Sequence, residues 1–506
     1  MHVRVRLDGA EPRRWQIALL QRIADIPGIR AVSVDAAALP DGWPDTIELL
    51  FRLEALIHGL PRLGSERLPP TALNPWRRPD ANPDLVLDLC GDLPSGPAVW
   101  QIAYDDRLGD GALMASLLAG AVPRLTLIEA GKILAAGRLG TDRPGILLAG
   151  VDDALARTVT LVVAALDRRA AGASAPVSAA PVPPSEPGRT LSGTELGRRT
   201  ARMLAGAVVH RLYHLCYRAP HWRCGWRRLD GPDLIDLGRH PETGWNTLPD
   251  DGHRFYADPF PLAFAGNTHV FVEEFPHATG KAIISAVRFG PHGPEGTPVP
   301  VLEEAHHLSY PFVFERDGEA WMVPESSASG TVDLYRATRY PGGWVKEATL
   351  LTGVVASDAT LLERDGRWWI FATSRDTGPN ALAGSGSYHD ALCLWSAPDF
   401  RGPYTPHPAN PVLIDPATAR PAGRIVERGG RLIRPVQDCA QGYGRALGLA
   451  RIDRLDPEGF AQTLIGRVEP GPSWSGSRLH TLNTGGGLEC IDGSARAPRI
   501  RIPRRA

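Results

Sequence analysis

The chain has 506 residues, enough for two or three domains, and its 55 Lys+Arg nearly balance its 56 Asp+Glu. That balance supplies no global field for nucleic acid or for an acidic membrane surface, so no nucleic-acid partner is expected. The six cysteines (Cys90, Cys216, Cys224, Cys393, Cys439 and Cys490) include no pair spaced as a zinc ribbon or a redox motif. No metal and no cofactor are therefore expected, and a reducing, cytoplasmic location fits.

The amino terminus opens as an alternating strand, His2–Leu7, with no signal-peptide pattern. A helix carrying Trp15, Ile17–Leu20 and Ile23 follows, then a strand Ile29–Val34 and a helix Ile47–Ile57. Leu85–Leu89 and Val99–Ala103 read as short buried strands, and Leu113–Leu118 as a helix. Leu125–Ile128 and Ile133–Ala136 suit a hairpin, and Leu155–Leu166 a closing helix. Alternating strands and helices over 1–170 predict an open α/β sheet. No G-x-G-x-x-G follows the first strand, and no Walker loop occurs. The order of elements resembles the amino-terminal domain of formyltransferases, whose chemistry uses an Asn, a His and an Asp. The matching stretch here is Val99-Trp-Gln-Ile-Ala-Tyr-Asp-Asp106, without His or Asn, so a domain without formyl-transfer activity is expected.

Residues 171–192 are rich in Ala, Pro and Ser and predict a flexible linker. Ser192 and Glu195 have the spacing of a capping box. The amphipathic helix it starts, 193–218, carries Leu196, Met203, Leu204, Val208, Val209, Leu212 and Leu215 on one broad face, with Arg198, Arg199, Arg202 and Arg211 elsewhere. Packing against the following domain is the expectation, an interfacial membrane helix the alternative. No run of eighteen apolar residues occurs anywhere, so no transmembrane segment is expected, while peripheral membrane contact stays open.

From 219 to 498 the pattern changes to strand-like runs broken by Gly, Pro and Asp turns. Five hairpin-like stretches recur, at 255–275, 308–325, 357–373, 423–438 and 478–492. A period of roughly fifty residues predicts a propeller, and five copies predict five blades. The fold class expected is therefore multidomain: an α/β open-sheet amino-terminal domain plus an all-β five-bladed propeller. Within the hairpins the acids keep register with the turn glycines. Asp258 and Asp358 lie eight residues before Gly266 and Gly366, and Glu273 and Glu325 lie seven after Gly266 and Gly318. Both registers map to one hairpin end, so blade symmetry turns these carboxylates toward one mouth of the central channel.

Several stretches carry a family resemblance: Phe255-Tyr-Ala-Asp-Pro-Phe260, Phe271-Val-Glu-Glu-Phe275, His307-Leu-Ser-Tyr-Pro-Phe-Val-Phe314, Met322-Val-Pro-Glu-Ser326, Ser357-Asp-Ala-Thr-Leu361, Trp368-Trp-Ile-Phe-Ala-Thr373 and Arg434-Pro-Val-Gln-Asp-Cys439. They resemble the amino-terminal propeller of glucosamine inositolphosphorylceramide transferases and its bacterial relatives, and more distantly glycoside hydrolase families 43 and 32. The hydrolase resemblance implies a first-blade Asp as base or nucleophile, matched by Asp258. It also implies an orienting Asp, matched by Asp358, and an acid, for which Glu325 is the best match although it precedes Asp358.

The catalytic candidates are thus Asp258, Glu325 and Asp358. Glycosidic bond cleavage needs one carboxyl kept protonated and one kept charged, and crowded acids raise each other's pKa. Candidates for substrate binding are Tyr256, Glu273, Glu274, His307, Tyr310, Arg434, Gln437 and Asp438, for a carbohydrate or glycolipid partner. Hydrolysis or other processing of a glycosidic bond is the leading reading. Transfer or phosphorolysis, with a phosphate pocket near Arg420, Arg424 and Arg434, is an alternative, and so is a non-catalytic glycan-binding or scaffold propeller.

Overall fold

In the computed structural model the described residues are 1–37, 43–78, 82–172, 178–179, 191–375 and 386–499. Two compact units divide the chain, one comprising Met1–Val208 with Arg375–Ser387 and Leu413–Asp415, the other Val209–Ser374, Tyr388–Val412 and Pro416–Ala506. The division falls inside a helix and not at the expected linker, most of which lies outside the described residues.

The first unit is built on β1 (His2–Asp8), α1 (Arg14–Ala24), β2 (Ala31–Ala37), α2 (Asp45–His58), β3 (Leu85–Asp88), β4 (Val99–Tyr104), β5 (Arg107–Leu108), α3 (Asp110–Leu118), β6 (Arg124–Glu129), β7 (Lys132–Arg138), α4 (Leu147–Ala170) and β8 (Ser178–Ala179). The sheet runs β2-β1-β3-β4-β6-β7-β8. Its first four strands are parallel, and β6 and β7 are antiparallel additions. Val3, Val5 and Leu7 alternate into the core with Leu85 and Leu87, covered by Trp15, Leu19 and Ile23 of α1 and by Leu148, Leu155 and Val162 of α4. Tyr104 is buried with its hydroxyl 2.9 Å from Thr158 Oγ1. Asp105 and Asp106 make the β4–β5 turn, both at positive φ.

A fifth helix, α5 (Gly193–Cys216), begins with the expected capping box: Ser192 Oγ accepts the Glu195 N–H at 3.2 Å, and Glu195 Oε2 accepts the Ser192 N–H at 3.1 Å. Contrary to the packing expected of it, none of its residues is buried. Among the described residues no helix is long and apolar enough to cross a membrane.

The second unit is a five-bladed β-propeller. Blade I starts with Arg254–Phe264 and Asn267–Pro276, blade II with Ser309–Arg316 and Glu319–Glu325, and blade III with Val355–Arg364 and Arg367–Arg375. Blade IV starts with Val426–Arg428 and Arg431–Asp438. Each of these four hairpins is one of the repeats legible in the sequence, extended by outer strands. Blade V combines the last repeat, Leu482–Gly485 and Leu488–Ser494, with Trp222–Arg228 and Asn246–Thr247 from the start of the unit. Strands from both ends of the unit thus close the ring and remove its open edges. Aromatic packing fills the space around the first blades, with Phe260 4.8 Å from Tyr310 and Trp321 5.0 Å from Phe400 between ring centroids.

Candidate functional site

The acids of the two registers are placed by a repeated backbone device. In blade I, Ala257 pairs with Glu273 and Phe260 with Phe271, so Asp258 and Pro259 bulge opposite a single residue. In blade II the same slip occurs between Ser309 and Phe312, around Tyr310 and Pro311. Asp258, Tyr310 and Asp358 have φ of 48°, 42° and 57°, a left-handed conformation that side chains rarely take. Each costs of order 1–3 kcal/mol unless its surroundings hold it. All three stand eight residues before their turn glycine.

What holds them is an acid from a neighbouring blade. Asp492 Oδ2 accepts the Asp258 N–H at 2.9 Å, Asp258 Oδ2 the Tyr310 N–H at 3.3 Å, and Glu325 Oε2 the Asp358 N–H at 3.1 Å. The bonds tie blade V to I, I to II, and II to III. Asp258, Glu325 and Asp358 thus lie within electrostatic reach of one another, and Asp358 raises the proton affinity of both Asp258 and Glu325.

Asp258 is buried and accepts Thr481 Oγ1–H at 2.6 Å, with His480 Nε2 at 3.6 Å. Burial pushes its carboxyl up to about 7, against the pull of His480 and with the help of Asp492, Glu273 and Asp358. Burial would discharge His480, but Asp492, 2.6 Å from its Nδ1, together with Asp258 lifts it to about 9. Glu325 is held well above the usual carboxylate range by burial and by Asp358, only partly offset by Arg420. Asp358 is pinned: it takes Arg420 Nε at 2.6 Å and Nη2 at 3.2 Å, and Gln437 Nε2 at 2.7 Å. Arg420 also lies 3.6 Å from Glu325 and donates to His389 Nδ1 at 2.9 Å. Asp258, His480 and Asp492 each offer one ligand atom within 4.8 Å of the others, the geometry of a small cation site, although these atoms already bond one another.

Of the expected binding residues, Gln437 reaches the acids directly. Glu273 adds its charge to Asp258 and lies 3.4 Å from His307 Nε2. Burial disfavours a charged His307, but Glu273 outweighs it and holds the ring above its ordinary value. Tyr310 contributes its N–H and not its ring, which is buried with the hydroxyl 2.8 Å from Thr360 Oγ1. The remaining four are bonded elsewhere. Glu274 takes Arg254 at 2.5 Å and Ser285 at 2.6 Å, because its neighbour Glu273 occupies the inward pleat. Tyr256 shares that outward pleat, paired across the strands with Glu274. Asp438 takes Arg467 at 2.7 Å. Arg434 is fully buried on the carbonyls of Ala419 and Thr418 and on Gln462. Arg424 bonds the Val313 carbonyl, so Arg420, Arg424 and Arg434 do not form the phosphate pocket considered from the sequence.

Residues that sequence reasoning missed include His389, Tyr443, His480, Thr481 and Asp492, and Arg420, considered there for a phosphate, holds the acids instead. Tyr443 and Trp222 roof the group. Trp222 stacks on His480 at 4.2 Å, and Tyr443 stacks on His389 at 5.2 Å with the Arg420 guanidinium 5.0 Å from its ring. Above them opens a cleft of about 900 Å³ lined by Trp222, Tyr443, Tyr213, Arg223, Arg478 and Arg496, among others. The cleft is aromatic and cationic; among the described residues no carboxylate lines it.

Residues 248–486 match the family described as glucosamine inositolphosphorylceramide transferase 1, N-terminal. The chain is 31% identical over 268 residues to glucosamine inositolphosphorylceramide transferase 1 of Oryza sativa subsp. japonica, covering 50% of this chain and 34% of that protein. It is 30% identical over 252 residues to the Arabidopsis thaliana protein of the same name, covering 47% and 32%. The chain thus spans about a third of the length of these relatives. Among solved structures it is similar to a family 117 glycoside hydrolase of Zobellia galactanivorans, at 13% identity and a TM-score of 0.34 over 54% of this chain and 90% of that one. A GH43_1 enzyme from Xanthomonas citri gives 16% identity and a TM-score of 0.35 over 50% and 90%.

Proposed function

We propose that the propeller acts on a glycoconjugate, cleaving or transferring at a glycosidic bond, with Glu325 as general acid, Asp258 as base or nucleophile and Asp358 as the carboxylate that positions Glu325 through Arg420. The observation that carries this reading is the electrostatic split within one group of acids. Burial and Asp358 hold Glu325 well above the usual carboxylate range, while Asp258 sits at about 7 beside a His480 lifted to about 9. A proton donor and an acceptor poised near working pH are what general acid–base chemistry on an acetal requires. The cleft supports a substrate class: Trp222 and Tyr443 offer faces for a sugar ring, and Arg223, Arg478 and Arg496 suit a phosphate or carboxylate on it. The phosphorylated glycolipid in the relatives' name agrees with that chemistry.

A second reading, a glycan-binding propeller without turnover, is favoured by one observation. Asp258 and Asp358 are buried on internal partners, and among the described residues no acid lines the cleft. The two readings separate in one experiment. A glycan array would identify ligands, and hits would then be assayed for hydrolysis and for transfer from nucleotide-sugar donors, with wild type, Asp258→Asn and Glu325→Gln. Turnover by wild type that both variants lose supports catalysis. Binding by all three proteins without turnover supports the module.

For the first unit we propose no formyl-transfer chemistry, since Tyr104 is buried on Thr158 and Asp105 is taken up by Ser116 and the Arg124 N–H. A folate-dependent transfer assay of the full chain would overturn this if positive. A cytoplasmic location remains our reading, supported by six cysteines that are all free thiols.

A further inference from the structure

We infer that α5 is a docking helix for an anionic lipid surface. Leu204, Val208, Leu212 and Leu215 follow one another at helical spacing on one face and are 50%, 57%, 56% and 71% exposed, with Val209 beside them at 64%. A face of this kind left in water is costly, and monomeric soluble proteins rarely carry one without a use. Beyond the first turn the charges on the helix itself are of one sign. From Leu196 to Arg218 the helix and its exit hold five arginines (Arg198, Arg199, Arg202, Arg211 and Arg218) and no Asp or Glu, in a chain whose overall charge is −1. On the helical wheel Arg202 and Arg211 fall on opposite flanks of the apolar stripe. There their stems can run along the face while their heads reach outward.

This combination selects one occupant. Apolar side chains entering the acyl boundary between flanking guanidiniums at headgroup level match an anionic membrane surface in both hydrophobicity and charge. A second copy of the same helix would match the apolar face but would bring a second set of arginines against the first, with only Glu195, held in its capping box, as an acid. The helix is too short in apolar residues to cross, so it lies along the surface. Tyr213, near its end, also lines the cationic cleft, so the docked helix would hold the cleft next to the headgroups.

The test is co-sedimentation of the full chain with phosphatidylcholine vesicles, with and without phosphatidylserine, at increasing salt. The expected result is binding only to the phosphatidylserine vesicles, weakening as salt rises. Val208→Asp with Leu212→Asp abolishes binding, and Arg202→Glu with Arg211→Glu lowers partitioning by about tenfold or more. All four side chains are exposed, so circular dichroism and Tm should match wild type. Wild type remaining in the supernatant would overturn the inference. So would binding unchanged in the Asp double variant, or concentration-dependent self-association in ultracentrifugation that the Asp double variant removes. None of these outcomes depends on whether the propeller turns over a glycan.

Discussion

Asp492 accepts the backbone N–H of Asp258 at 2.9 Å while its other oxygen takes His480 Nδ1 at 2.6 Å, so one buried carboxylate fixes both a strained backbone and a charged ring. Glu325 does the same for the backbone of Asp358. In both cases the acid that holds a neighbour's left-handed residue is itself part of the charged group. The candidate site and the blade-to-blade attachment are therefore carried by the same atoms.

Removing that carboxylate should be expensive. Asp492→Ala leaves the Asp258 N–H and a buried imidazolium without their acceptor, and a loss of about 3–5 kcal/mol in unfolding free energy is expected. Urea unfolding followed by tryptophan fluorescence measures it. A loss below about 1 kcal/mol would show that the bond does not hold the bulge.

Arg420 should behave as an ion that two acids cannot spare. Arg420→Met strands Asp358 and Glu325 in the interior and is expected to cost about 3–5 kcal/mol. Arg420→Lys should recover little, because an ammonium cannot make the two-pronged contact with Asp358. Full rescue by Lys in thermal unfolding would contradict this.

Stability should fall on the alkaline side. His480 holds its proton up to about 9 in the folded chain, above the ordinary 6.5, so the unfolded chain releases that proton first. Its contribution is complete below about 6.5 and is lost as pH rises through 9, on the order of 3 kcal/mol. Asp258, raised to about 7 from 3.8, acts in the same direction at lower pH. Tm measured from pH 5 to 10 should decline, and His480→Gln should flatten the upper part of the decline.

If the glycan reading holds, Glu325→Gln should lower kcat by roughly 10²–10⁴, and less on substrates with good leaving groups. Arg496→Ala, at the exposed edge of the cleft, should raise KM for an anionic substrate and leave kcat nearly unchanged. Equal effects on neutral and anionic substrates would remove Arg496 from recognition.

Much of this was legible in the sequence because turns and pleats obey short rules. A glycine at each hairpin tip fixes the count to the end of both strands, so Asp258, Asp358, Glu273 and Glu325 could be aligned without coordinates. The same count, applied to every residue type and not to acids alone, also finds Tyr310 eight before Gly318 and Gln437 seven after Gly430. Arg420 could not be found in this way. It lies between blades in an irregular segment held by the Gln437 N–H on its carbonyl at 2.9 Å, outside any strand period. That segment ends at Gly423, where φ is 141° and a Cβ would lie 1.9 Å from the Leu482 carbonyl oxygen. Asp492 escaped because blade V turns on three successive glycines, Gly485–Gly487, which blur the count. The exposure of α5 was illegible for a different reason: an amphipathic pattern says that a face is apolar, not what covers it.

Blade V also sets a timetable for synthesis. Arg227 and its partner Glu489 are 262 positions apart, so at ribosomal speed the opening strand of the ring waits roughly 13–50 s for the hairpin that completes it. During that interval Trp222–Arg228 is an unpaired edge, a natural client for a holdase. The wait also delays the acidic group. Thr481, His480 and Asp492 all arrive with the closing hairpin, so Asp258 has neither its backbone anchor nor its charged neighbour until the ring shuts. A nascent or truncated propeller thus lacks the acidic centre, which comes into being only with the finished ring.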